Sequence, residues 1–142
     1  MIPRPDGSAP CPCGGCPDGA TLADCCGPYL DGSAWPPDPE TLMRSRYTAY
    51  ATGNADHVFR TWHPATRPQQ VEIDPALAWV GLEVVDAPTV ASDDEGVVEF
   101  TAHWMSGVGA TRQRGVVRER SRFTRRAGRW FYRDGDTTTT AG

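Results

Sequence analysis

No lysine occurs anywhere in the chain: all 14 basic residues are arginine. That usage reads as the mark of a GC-rich genome rather than of guanidinium chemistry selected at each site. No run of about 18 apolar residues occurs, which excludes a transmembrane helix. The opening MIPRPDGSAP lacks an apolar h-region, so no signal peptide is expected there and the chain is read as cytoplasmic. There is no P-loop, GxGxxG or HExxH motif and no Ser/His/Asp order, so none of those catalytic templates applies. Internal repeats are missing too. After position 26 there is no cysteine at all.

What cysteine there is lies in one place. CPCGGCPDGATLADCC, residues 11–26, holds Cys11, Cys13, Cys16, Cys25 and Cys26. In a reducing compartment such a cluster reads as metal or redox chemistry rather than as disulfides. A stretch this short cannot fold on burial alone, whereas a metal ion held by four thiolates would supply the folding free energy. Zinc is the expected ion. A redox reading of the Cys13–Cys16 spacing is the weaker alternative, since no thioredoxin-like βαβ pattern surrounds it.

Net charge is −4, but it is segregated: residues 1–111 carry 15 acids and 5 Arg, while residues 112–133 carry 9 Arg and only Glu119. With 142 residues there is room for one domain and a short appendage. Five Trp, four Tyr and four Phe supply much of the core. Residues 1–10 and 136–142 read as disordered tails, 11–27 as a metal knuckle, 28–37 as a Pro-rich connector, and 38–135 as an α+β domain.

Asp38 as N-cap and Pro39 at the first position predict a helix that ends at Gly53. Leu42, Met43, Tyr47, Ala49 and Tyr50 form its apolar face. Arg46 falls near the middle of that face and Arg44 on the opposite side. A second helix starts at Asn54, with Ala55, Val58, Phe59 and Trp62 inward, an Asp56–Arg60 pair outward, and Pro64 as its stop. His57 reads as solvated. Strands follow at 79–85, 97–105, 111–125 and 129–134, with turns at 93–96, 106–110 and 127–128.

Parity in the third strand puts Arg112, Arg114, Arg118, Arg120 and Arg122 on an outer face, paired across to Glu83, Asp86 and Glu99. Val117, Glu119, Ser121 and Phe123 share the inner face. A two-residue turn at 127–128 then pairs Phe123 with Tyr132 and Ser121 with Asp134. A bulge near Gly115 would alter only the upstream pairing.

The string CPC…CCGPYLDG, then PDPETLMRSRYTAY, TWHP, ERSRF and WFYRDG, resembles the YchJ-like bacterial family over residues 11–135. The resemblance implies a SEC-C motif joined to a nuclear-transport-factor-2-like (NTF2-like) fold: a curved antiparallel sheet packed by two helices. It also implies a zinc ligand set of Cys11, Cys13, Cys25 and Cys26. The family spacing is CxC, eight residues, then CC or CH. Here eleven residues separate Cys13 from Cys25 and Cys16 is extra, so Cys16 in place of Cys11 or Cys13 stays open. The same motif on the preprotein-translocase motor docks onto partner proteins, which implies a docking role for this knuckle.

The fold also implies a pocket on the concave sheet face. Its polar candidates are Arg46, His63, Glu119 and Asp134, lined by Tyr47, Tyr50, Trp62, Ser121, Phe123, Trp130 and Tyr132. A buried Arg46 needs a partner, and Glu119 is the expected one with Asp134 second. His63 is the candidate base, and His103 reads as surface. Two functions follow: an accessory protein whose knuckle docks a protein partner, or a small-molecule binder or enzyme using the pocket. Whether it is an enzyme stays open. A homodimer is possible, and nucleic acid is disfavoured by the acidic balance.

Overall fold

Asp38 and Pro39 start the longest helix as their chemistry requires. In the computed structural model, which describes residues 7–15, 18–88 and 94–141, the Asp38 side chain accepts from the Thr41 N–H at 2.7 Å. Elements in chain order are α1 (Gly27–Leu30), α2 (Pro39–Thr52), α3 (Ala55–Arg60), β1 (Ala78–Asp86), β2 (Glu95–Ser106), β3 (Gln113–Arg126) and β4 (Arg129–Ala141). Gly53 ends α2 in the left-handed region, φ 76°, where a side chain would be strained. Asn54 caps α3 by accepting from the His57 N–H at 3.0 Å.

The four strands form one antiparallel sheet in the order β1-β2-β3-β4. Ala127 (φ 52°) and Gly128 (φ 80°) make the two-residue turn between β3 and β4. α2 lies across the inner face of the sheet. Leu42 and Met43 pack there against Val98, Phe123 and Trp130. Leu42, Ala49, Val58 and Val98 are fully buried.

Several expectations are corrected. The connector at 28–37 contains part of α1, a single turn that starts directly after Cys26. Residues 7–10, read as part of a tail, are tied down: Pro10 bridges Thr21 and the Leu22 N–H donates to Ala9 at 2.9 Å. Residues 136–141 are strand, because β4 stays paired with β3 as far as Gly115↔Ala141. α3 stops at Arg60, with Thr61 as C-cap, so Trp62 is outside the helix and bridges Tyr132 instead. In the turn read at 93–96, Asp93 lies outside the described residues and β2 already begins at Glu95.

The most consequential correction concerns register. Phe123 pairs with Tyr132 as expected, but Arg122 pairs with Asp134 and Ser121 with Gly135. The bulge sits at this step and not near Gly115, where Trp104↔Gly115 continues an unbroken β2–β3 ladder. One extra residue flips parity. Asp134 therefore leaves the inner face and pairs with Arg122 on the outer one, at 2.5 Å. Gly135 takes its place opposite Ser121, and a Cβ there would lie 2.8 Å from the Glu119 carboxyl carbon.

On the outer face Arg120 meets Glu99 at 3.2 Å and Asp86 at 3.7 Å, while Arg122 also reaches Asp136 at 3.0 Å. Glu83 does not join these pairs; it meets His103 at 2.9 Å.

Candidate functional site

Two tight turns build the cysteine cluster. The Gly14 N–H closes on the Cys11 carbonyl at 3.0 Å, and the Cys25 N–H on the Leu22 carbonyl at 3.2 Å. Gly14, Gly15 and Gly19 all take positive φ in the loop between them. Gly27 lets the chain pass Leu22, whose carbonyl would lie 2.8 Å from an added Cβ. The result brings Cys11, Cys13, Cys25 and Cys26 together, their sulfurs all within 4.8 Å of one another. Cys16 lies outside the described residues.

The sulfur spacing distinguishes the chemistries. Cys13–Cys25 is 3.6 Å, Cys13–Cys26 3.8 Å and Cys25–Cys26 3.9 Å. A disulfide needs about 2.05 Å. A tetrahedral zinc with Zn–S of about 2.3 Å sets sulfur–sulfur edges near 3.8 Å. The donor set therefore fits a soft divalent ion.

Hydrogen-bond donors already face these sulfurs. Thr48 Oγ1 donates to Cys26 Sγ at 3.3 Å and lies 3.7 Å from Cys11 Sγ; the Gly15 N–H donates to Cys13 Sγ at 3.4 Å. Such donors spread thiolate charge around a metal. Cys13 and Cys26 donate to Cys11 and hold its thiol low, while Cys26, bonded to Cys11 and Cys13 and buried, is pushed up.

The knuckle is not a free appendage. Cys11, Cys13, Leu22 and Cys26 are buried with Tyr47 and Ala102, against Trp79, Leu82 and Phe100. Arg44 ties it to α2, donating to the Cys13 carbonyl and to Glu40, both at 3.0 Å.

Beside the knuckle, between α2 and the sheet, is a cavity of about 250 Å³. Met43, Arg46, Tyr47, Tyr50, Trp62, Trp79, Phe100 and Ala102 line it, with Val117, Glu119, Ser121, Phe123 and Tyr132 from β3 and β4. Arg46, Glu119 and six of the seven expected lining positions, Ser121 among them, thus meet there. Trp130 does not; it is 5% exposed in the core with Leu42 and Val98. Met43, Trp79, Phe100, Ala102 and Val117 were not anticipated. The alternation of β2 held the signal for Phe100 and Ala102.

Arg46 lacks the expected ion pair. Its Nη1 donates to the Val58 carbonyl at 2.9 Å and to Thr61 Oγ1 at 2.8 Å. Its guanidinium carbon lies 4.3 Å from the Tyr132 ring centre and 5.1 Å from that of Trp62. No carboxylate among the described residues pairs with it within 4.0 Å. Glu119 instead accepts from Ser121 Oγ, and from Thr137 Oγ1 at 2.6 Å. The Tyr132 hydroxyl, its own pKa raised by burial and then by Glu119, also bonds to that carboxylate. Burial lowers the Arg46 pKa in spite of Tyr50, Tyr132 and Glu119 nearby.

His63 is not a pocket residue. Its Nδ1 accepts from the Ala65 N–H at 3.0 Å and its ring faces Phe131. His57, expected in solvent, is 1% exposed and bonds Ser45 at 2.9 Å. Ser45 Oγ also donates to the Leu42 carbonyl at 2.8 Å. Burial first, then Arg60 and Arg46, lower its pKa to about 3.

Comparison with known proteins agrees with this layout. Residues 38–135 match the family model described as the YchJ middle NTF2-like domain. A UPF0225 protein of Streptomyces coelicolor is 42% identical over 128 residues, covering 89% of this chain and 94% of that one. One from Chromobacterium violaceum is 44% identical over 140 residues, covering 95% and 98%. The solution structure of a SEC-C motif protein from Rhodopseudomonas palustris superimposes with TM-score 0.72 at 33% identity, covering 90% of this chain and 98% of that one. A crystal structure of another, from Psychrobacter arcticus, gives 0.73 at 27% identity, covering 90% and 82%.

Proposed function

The chain belongs to the YchJ family, a SEC-C-type cysteine cluster ahead of an NTF2-like domain, and from that premise we propose that it is a zinc-stapled small-molecule-binding protein. Zinc would be held by Cys11, Cys13, Cys25 and Cys26. Its chemistry there is structural: four thiolates close the coordination sphere and leave no open position for substrate. A reducing, cytoplasmic setting suits this reading, since the thiols must stay unoxidised.

One observation carries the proposal. Tyr47, Trp79, Phe100 and Ala102 pack on the knuckle and also line the cavity. The metal site therefore braces the wall of the pocket. At about 250 Å³ the cavity is below the roughly 300 Å³ at which pockets for drug-sized ligands begin, so its ligand is small.

The test is a screen of small aromatic acids, amides and amines by NMR against the zinc-loaded protein, following the indole N–H resonances of Trp62 and Trp79. Binders should shift both, and should lose affinity once chelator strips the metal. A folded, metal-loaded protein in which no compound moves either resonance would sink the reading. Partner docking is the second reading. It is supported by the outer surface of the knuckle, where Gly14, Asp18, Gly19, Ala23 and Asp24 are exposed.

A further inference from the structure

Resting on the pocket reading above, we propose that the ligand is a small planar organic anion, an aromatic carboxylate, whose acid group sits against Arg46 and Trp62. Arg46 is 6% exposed and makes no ion pair among the described residues. Both protein acceptors it reaches are taken by Nη1. No described residue accepts from its Nε or Nη2. Trp62, stacked beside the same guanidinium, has a buried Nε1–H without a partner. Both side chains line the cavity.

Buried donors that lack acceptors are costly, and a buried cation lacking an anion is costlier. Two such groups on one cavity wall call for an acceptor that the protein does not provide. A carboxylate supplies two oxygens in the plane that a guanidinium fork prefers. Glu119 does not fill the role, because Ser121 and Thr137 already donate to its oxygens. Burial still outweighs its long-range attraction for Arg46. The rest of the cavity sets the body of the ligand. Tyr47, Trp79, Phe100 and Val117 form an apolar, ring-lined slot that suits a flat hydrocarbon and not a sugar or a phosphate chain.

The experiment compares trans-cinnamate with its neutral isostere cinnamamide on the zinc-loaded protein by NMR titration. Cinnamate should shift the Trp62 indole N–H and bind roughly tenfold or more tightly than the amide, the difference a charge-assisted bond provides. Arg46→Met should remove the preference while leaving residual binding of both. If that variant does not fold, Trp62→Phe, which removes the N–H together with part of the ring, should weaken cinnamate severalfold more than the amide, read at the Trp79 resonance. Equal binding of acid and amide at the Trp62 and Trp79 resonances overturns the anion assignment and leaves the pocket reading standing. Absence of any shift with either compound, or with any other in the screen, takes down both.

Discussion

Lowering the pH from 7 to 4.5 should cost the native fold about 2.5 kcal/mol through His57 alone. The imidazole is 1% exposed and its folded-state pKa is lowered to about 3, by burial first and then by Arg60 and Arg46. In the unfolded chain it titrates near its ordinary value of about 6.5. Above that pH neither state takes a proton and the contribution of neutral His57 is intact. Between about 6.5 and 3 only the unfolded chain protonates, so stability falls by about 1.4 kcal/mol for each pH unit. Below about 3 the loss levels off. The assay is chemical denaturation of the zinc-loaded wild type and of His57→Gln at both pH values. Glutamine carries no proton switch, and thiolate and carboxylate titrations affect both proteins alike. The wild type should lose about 2.5 kcal/mol more than the variant across the interval. Losses that agree within about 0.5 kcal/mol would show that His57 charges normally inside the fold, and the burial argument would fail.

Three other outcomes are expected. Gly135→Ala should destabilise by about 1–3 kcal/mol in denaturant melts, because the new Cβ would lie 2.8 Å from a Glu119 carboxyl group that Ser121 and Thr137 hold in place; a neutral effect would mean that Glu119 swings aside freely. Thr61→Val keeps shape but takes an acceptor from buried Arg46, and should cost about 1–3 kcal/mol, whereas an unchanged midpoint would mean the guanidinium is otherwise satisfied. Chelating the metal should shift tryptophan emission to the red and lower the melting temperature, since Trp79 packs on the cysteine cluster; an unchanged spectrum would uncouple knuckle from pocket.

Local chemistry was the legible part of the chain. α2 could be read because Asp38, Pro39 and Gly53 act within a few residues of themselves. The cysteine cluster could be read because its spacing is short and its ligands are soft. Arg46 was placed correctly in the buried face of α2, but its neighbours were not, since they depend on how α3 and β4 dock. Asp134 was lost to a single bulged residue, which no periodicity announces. The end of β4 was missed because DTTTT carries no apolar alternation; backbone pairing with β3, not side-chain burial, makes it a strand. His57 looked solvated beside Asp56 and Arg60, yet helix α3 turns it inward to Ser45.

The most direct measurement is a native mass spectrum of the protein purified under reducing conditions with no metal added. One zinc per chain, removed by chelator and with every cysteine still a thiol or thiolate, is the result that the cluster geometry predicts. A metal-free mass with a stable fold, or two hydrogens missing for each cysteine pair, would contradict it.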